Sequence, residues 1–420
     1  MNKHDTERIA GLLEVCGYQP NNSIAGSDLV VYYTCCVRKS ADERFYGQLS
    51  STKYKKGAKV IVGGCLAQKE GPELLSKFKE VDLVFGTRNL KELPSLINNL
   101  NGQPFSNTNM LEGFNAELPS KRENKYKAWI AINQGCNNHC TYCIVPAVRG
   151  PEISRKLGDV VAEAKALVDD GVKEITLLGQ NVNSYGQDIY GEPKFAGLLR
   201  EVSATGVERL RFTTSHPKDL SEEVIIAIKE MDNICEHIHL PVQAGSSAVL
   251  KKMGRRYTKE HYLQLVVLIR EHLPKASITT DIMVGFPGET EANFEDTLDL
   301  VEKAGFDAAF TFIYSTREGT AAAKMDKQIP YHSKLSRFKK LVELQDAISW
   351  SKNIEILDST QEILVDGPTK KDKAKICGRT ATNKLVHFNG EPNLKGQLVN
   401  VRIKEAKPFF LLGEIDRIKT

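Results

Sequence analysis

Between Ala128 and about Trp350 the chain repeats one pattern six times: a short apolar run of strand type, then a longer stretch of helical type. The strand-type runs are Trp129–Asn133, Glu174–Leu178, Arg209–Thr213, His237–Leu240, Ser277–Val284 and Ala308–Tyr314. No other feature limits the fold as strongly. Strict alternation of strand and helix demands a parallel sheet covered by helices. Six units in about 220 residues fall short of the eight-unit, ~250-residue closed barrel. The expectation is a partial (β/α)6 barrel over residues 122–350, ending in a charged helix from Ser333 to Ser351.

The flanks read differently. Residues 1–100 alternate too, with strands at Leu29–Tyr33, Lys59–Val62 and Asp82–Phe85, and predict an open parallel α/β domain. Its first helix, Asp5 to Cys16, carries Ile9, Leu12, Leu13 and Cys16 at helical spacing, so Cys16 is expected in the core. Asn101–Lys125 is polar and reads as a linker. Residues 353–419 show short alternating runs broken by Gly, Pro and Asn, the pattern of a small all-β barrel. The class is α/β with three units.

Charge excludes one group of functions. A net charge of +4 is too small for a polybasic nucleic-acid tail. The C-terminal unit holds most of the excess, with 12 Lys/Arg against 9 Asp/Glu, a weak pointer to nucleic acid. No apolar run approaches the ~18 residues of a membrane helix. The polar start, Met1 to Glu7, is no signal peptide. A cytoplasmic protein without membrane contact is expected.

Nine cysteines then need a reason other than structural disulfides, which a reducing compartment disfavours. Cys136, Cys140 and Cys143 form C-x3-C-x2-C directly after the first barrel strand, at the strand end where barrel enzymes place their chemistry. Three thiolates can hold three irons of a [4Fe–4S] cluster and leave the fourth open to a chelating substrate. A structural zinc site is the alternative, but it wants four ligands. Cys35 and Cys65 each follow a strand, about thirty residues apart, and such loops converge in an open parallel sheet.

These residues carry a resemblance that runs over essentially the whole chain. Gly135–Arg155 (GCNNHCTYCIVPAVRGPEISR), Leu177–Gly186 (LLGQNVNSYG), Arg211–Pro217 (RFTTSHP), Leu240–Ser246 (LPVQAGS) and Asp281–Thr290 (DIMVGFPGET) resemble the radical S-adenosylmethionine (SAM) methylthiotransferases. Within them, the Gly-Gln-Asn-Val-Asn and Thr-Thr-Ser-His-Pro runs fit the tRNA-modifying, MiaB-type branch. Gly378–Lys384 resembles that branch's C-terminal TRAM domain, an RNA-binding β-barrel.

The resemblance implies methylthiolation of C2 of N6-(dimethylallyl)adenosine at position 37 of tRNA, beside the anticodon. A cluster on Cys136, Cys140 and Cys143 would cleave SAM to a 5′-deoxyadenosyl radical. A second [4Fe–4S] cluster, with Cys35 and Cys65 as two of its ligands, would supply sulfur, and another SAM the methyl group. The third ligand normally lies in a Cys-Gln-Met-Asn run after a preceding strand; Met1-Asn2 match only its last two letters, so that cysteine is expected to be missing from this chain. Implied partners are the tRNA anticodon stem-loop and an electron donor such as flavodoxin or ferredoxin, with the sulfur source open and the chain a monomer. Threonylcarbamoyl-adenosine or a ribosomal-protein aspartate are the alternative targets, and a zinc-stabilised RNA-binding protein the alternative without catalysis.

Several residues carry two readings each. Gly179, Gln180 and Asn181 end the second strand and either bind SAM or cap a helix. Gly285–Gly288 is either a SAM-side loop or a tight turn. Arg149 and Arg155 face phosphate or carboxylate, or make ion pairs. Arg379 and Lys384 are the expected RNA contacts. Cys36, Cys235 and Cys377 are expected to be structural, and His139 a solvent-side filler.

Overall fold

The computed structural model describes residues 1–36, 39–111, 113–114, 118–369 and 372–418. Lys370, Lys371 and Lys419, which contribute to the C-terminal charge, lie outside them. At the N-terminus the order is α1 (Asn2–Val15), β1 (Leu29–Thr34), α2 (Lys39–Ser51), β2 (Lys59–Gly64), α3 (Cys65–Glu70), α4 (Glu73–Lys77), β3 (Leu83–Phe85), α5 (Leu93–Asn98) and β4 (Phe105–Asn107). The four strands form a parallel sheet in the order β1-β2-β3-β4. Side chains alternate across it. Val60 and Val62 pack with Phe45, Leu49 and Leu66 on one face, while Ile61 packs with Ile9, Leu12 and Leu93 on the other.

Two expectations change here. The stretch read as a linker supplies β4, because Phe105–Asn107 can still pair with β3 after the Gly102 turn. Cys16 is exposed and not in the core: α1 stops at Val15, and the chain leaves the sheet at Gly17, whose φ of 86° ends the helix.

The central domain runs β5 (Lys127–Ala131), β6 (Asn133–Gln134), α6 (Val145–Arg149), β7 (Ile153–Ser154), α7 (Leu157–Asp169), β8 (Glu174–Leu178), α8 (Gln187–Tyr190), α9 (Phe195–Ser203), β9 (Arg209–Thr213), α10 (Glu222–Glu230), β10 (His237–His239), α11 (Ser247–Lys252), α12 (Lys259–His272), β11 (Ser277–Val284), α13 (Glu291–Ala304), β12 (Ala308–Ile313) and α14 (Tyr331–Ile354). It is a partial barrel of two parallel half-sheets, β5-β8-β9 and β10-β11-β12, joined by a bridge between Leu210 and Ile234. The first strand breaks at Ile132, and β6 turns away to pair antiparallel with β7. Ile175, Leu177, Leu210, Phe212, Ile238, Ile278 and Ile282 face the helices in one continuous core. The alternating positions, among them Glu174, Arg211, His237, His239 and Thr279, line the hollow side.

The C-terminal unit is a closed barrel of β13 (Thr360–Pro368), β14 (Lys375–Thr380), β15 (Leu385–Asn389), β16 (Leu398–Ala406) and β17 (Leu411–Ile418), in the order β13-β14-β15-β17-β16. Two arginines of β9 dock it. Arg209 donates to the carbonyls of Arg379 (2.9 Å) and Glu362 (2.8 Å), and Arg211 to those of Thr380 (2.7 Å) and Ala381 (2.9 Å). None of the described helices is long and apolar enough to cross a membrane.

Candidate functional site

The cysteine loop follows β6 at the carboxyl end of the first barrel strand. Gly135 opens it with φ 79°, and a Cβ there would stand 2.0 Å from the Pro151 carbonyl oxygen, so only glycine lets the two segments cross. The far side of the loop rests on the end of α11: the Thr141 N–H donates to Met253 O (2.9 Å) and its hydroxyl to Lys252 O (3.0 Å). The sulfurs are already solvated by donors. The Asn138 N–H points at Cys136 Sγ (3.4 Å), the Val145 N–H at Cys143 Sγ (3.5 Å), and Arg255 Nη1 at Cys140 Sγ (3.5 Å). Burial pushes the Cys136 thiol up and that of Cys143 up to about 12, a penalty that iron–thiolate bonding removes. Among the described residues, no three His, Cys, Asp or Glu side chains are grouped to hold a single metal ion. A cluster spreads its thiolates over three irons and fits this donor set. His139 is exposed, as a filler should be.

Beside the loop, the ends of β6, β8 and β9 form a polar basin. Asn133 Nδ2 donates to Glu152 (2.9 Å) and to Asn181 O (2.7 Å), and the Ser184 hydroxyl to Glu152 (2.7 and 2.8 Å). Burial pushes the Glu152 carboxyl up. Gly179 makes room: a Cβ would meet Asn133 Oδ1 at 2.0 Å. Asn181 begins a short 3-10 turn but does not cap it; its amide donates instead to Asp219 (2.7 Å). Asn133 Oδ1, Gln180 Oε1, Asn181 Oδ1, Asn183 Nδ2 and Ser215 Oγ are buried without a hydrogen-bond partner among the described residues. Buried polar atoms without partners are costly, and several at one strand-end crevice suit a polar ligand. Their chemistry fits an amino-acid and ribose-bearing molecule such as SAM.

Cys35 and Cys65 follow β1 and β2, whose ends pair in register through Thr34 and Gly64. Cys35 is exposed, while Cys36 and Cys65 are buried. The neighbouring Cys36 thiol and the Arg149 guanidinium pull Cys65 down to about 6 against burial, while Cys65 and burial push Cys36 up. Arg149, on α6, donates to Asp5 (3.0 Å) and Asn2 (3.0 Å), and the Tyr33 hydroxyl to the same Asp5 oxygen (3.0 Å). Arg155 pairs with Glu163 at 2.6 Å. Both arginines therefore take the ion-pair reading. Arg88 reaches from the N-terminal domain to the carbonyls of Arg149 (3.0 Å) and Pro151 (2.7 Å), tying the segment after the cysteine loop to that domain.

A tRNA-2-methylthio-N(6)-dimethylallyladenosine synthase of Thermoanaerobacter pseudethanolicus is 48% identical over 429 residues, covering 99% of this chain and 90% of its own length. One from Carboxydothermus hydrogenoformans is 49% identical over 426 residues, covering 98% and 96%. The chain belongs to this synthase family. The Radical SAM superfamily matches residues 130–301, the Uncharacterized protein family UPF0004 residues 1–86, and the TRAM domain residues 358–415. The cysteine loop, the Cys35/Cys65 pair and the Arg379–Lys384 segment fall one in each. A radical S-adenosylmethionine methyltransferase, TsrM, from Kitasatospora setae, solved with cobalamin and a [4Fe-4S] cluster bound, shares the fold at a TM-score of 0.54 and 17% identity, covering 70% of this chain and 66% of that one.

In this synthase-family chain the TRAM barrel faces the hollow of the partial barrel across a cavity of about 500 Å³ lined by His237, His239, Phe310, Arg379, Lys384 and Phe409. Arg379 donates to Asn383 O (2.8 Å), and the Lys384 ammonium to Asp307 (2.7 Å) and Asn353 (2.9 Å), so Lys384 is also part of the docking between the two domains. Gly285 and Gly288 take φ values of 75° and 72°, the tight-turn reading, and a Cβ on Gly285 would stand 2.4 Å from Lys334. Sequence reasoning missed Glu152 and Arg255. Glu152 sits in an ordinary polar run, and Arg255 in Gly254-Arg255-Arg256, which reads as a solvated helix end. Burial, invisible in the sequence, singles both out.

Proposed function

We propose that the chain methylthiolates C2 of N6-(dimethylallyl)adenosine in tRNA, as a radical SAM enzyme of the synthase family. The observation that carries the reading is the three-cysteine loop at the end of the first barrel strand, in a chain 48% identical over nearly its full length to a synthase of that name. An adenine C2–H has no acidic or electrophilic handle, so the bound cluster and SAM supply the one-electron chemistry that acid–base catalysis cannot.

The protein's part is to hold, orient and exclude water. Cys136, Cys140 and Cys143 provide three thiolates and leave one coordination position open. Gly179, Gln180 and Asn181, with the unmatched amides around them, take the polar end of SAM. Cys35 and Cys65 would hold a second cluster through two thiolates, and that cluster would be the source of sulfur. Arg379 and Lys384 lie on the side from which the anticodon stem-loop approaches. A flavodoxin- or ferredoxin-type protein supplies the electron, and the chain works as a cytoplasmic monomer. The 48–49% identities favour the dimethylallyl substrate over threonylcarbamoyl-adenosine and ribosomal aspartate.

Mass spectrometry of tRNA nucleosides, from a synthase-deficient strain carrying this gene, tests the proposal. The 2-methylthio derivative of dimethylallyladenosine is expected. Its absence, or a methylthio mark only on threonylcarbamoyl-adenosine or on a ribosomal protein, overturns the substrate.

A further inference from the structure

Five buried arginines in this molecule have carboxylate partners: Arg149 pairs with Asp5, Arg155 with Glu163, Arg209 with Glu362, Arg211 with Glu174 and Arg337 with Glu289. Arg255 departs from that pattern. It is 8% exposed, and no carboxylate among the described residues lies within ion-pair distance. Its guanidinium is nonetheless fixed on three sides. Nε donates to the Tyr257 hydroxyl (2.8 Å), Nη2 to Pro241 O (2.8 Å) and Nη1 to Cys140 Sγ (3.5 Å). The cation lies over the Tyr257 ring at 5.2 Å, and the Tyr257 hydroxyl is anchored to Val242 O (2.9 Å). Gly254, with φ 74°, lets the backbone turn close under the cysteine loop; a Cβ there would stand 2.9 Å from His139 O.

A buried charge without a counter-charge is expensive. Burial pushes the Tyr257 phenol up to about 12 and so keeps it neutral, which leaves the Cys140 sulfur as the bonded partner that can carry negative charge. We infer that Arg255 is a positioning and potential-setting residue, whose fixed positive charge against Cys140 favours the reduced form of the cluster held by the three-cysteine loop. This rests on the reading of that loop as a cluster site. In the step concerned, one electron enters from the external one-electron donor protein. No bond to the protein forms or breaks, Cys140 remains a thiolate ligand, and the guanidinium keeps its protons. Net charge and hydrogen bonds to the sulfurs are the levers by which a protein sets such potentials.

The test is an EPR-monitored redox titration of the anaerobically reconstituted full chain, in a background with Cys35→Ala and Cys65→Ala so that one cluster is followed. If that background takes up no cluster, the reading of the loop fails, separately from the inference about Arg255. If it does, Arg255→Gln with iron content unchanged is expected to lower the reduced-to-oxidised ratio at fixed poise about tenfold, a negative shift of about 59 mV for a one-electron couple. Arg255→Lys, which keeps the charge, is expected to stay within about threefold of the parent. An unshifted Arg255→Gln variant overturns the inference. Should the Gln variant fail to hold iron, the Lys variant decides: a tenfold loss there overturns the claim that charge is what matters, and a ratio within threefold upholds it.

Discussion

The two cysteine sites are built in opposite ways. Cys136, Cys140 and Cys143 come from one eight-residue segment, and the donors to their sulfurs are backbone N–H groups and one arginine that pairs with no carboxylate among the described residues. Cys35 and Cys65 come from different strand ends, and their surroundings are a dense network of charges reaching across the domain boundary, Arg149, Asp5 and Tyr33 among them. A local loop supports a site whose geometry is set by spacing. A site assembled from separate strands depends on the domains staying docked. Damage to the first should act on chemistry, and damage to the second on docking and sulfur delivery.

The largest effect expected is from Cys140→Ala. It leaves two thiolates, and 5′-deoxyadenosine formation should fall below detection, at least a hundredfold, by chromatography of anaerobic reactions. Turnover near the parent level would break the assignment of the loop.

Arg149→Met probes the contrast from the other side. Burial works against the Asp5 charge, but Arg149 and His4 outweigh it and hold that carboxyl well below the usual range. Removing the guanidinium strands the charge and should cost about 3–5 kcal/mol in urea unfolding at pH 7. A depressed carboxyl stabilises the fold above the unfolded value near ~4 and loses that contribution as pH falls. In the variant Asp5 is raised, so the deficit against the parent should shrink in acid as Asp5 becomes neutral. A deficit that grows below pH ~4 contradicts the ion-pair account.

Gly179→Ala drives a methyl against Asn133 Oδ1. Displacing that amide by a strain of about 1–3 kcal/mol should raise the KM for SAM about tenfold, with the iron content and the second site unaffected. The smallest effect belongs to the TRAM face. Arg379→Gln with Lys384→Gln should lower the salt slope of tRNA binding by about one unit for each phosphate that is no longer neutralised. SAM cleavage without tRNA should persist. Because Lys384 also bonds Asp307 and Asn353, an Asp307→Asn control separates weakened domain docking from weakened RNA binding.

How much of this was legible in the sequence depends on range. The six barrel strands, the cysteine spacing and the β-rich C-terminus are local patterns, and periodicity reads them directly. Cys16 misled because its spacing continued the apolar stripe one residue past the point where Gly17 ends the helix. β4 was hidden in a polar stretch, since an edge strand of three residues needs little apolar signal. Arg149 and Arg155 had no sequence marker of their partners, which lie 144 and 8 residues away. Glu152 and Arg255 needed burial to be noticed at all.

The division of labour between the two sites is tested most directly by one anaerobic reaction of a Cys65→Ala chain with tRNA and SAM, in which 5′-deoxyadenosine and methylthio product are both measured. Continued formation of 5′-deoxyadenosine with methylthio product abolished is the expected result. Loss of both together, or full methylthiolation, would contradict it.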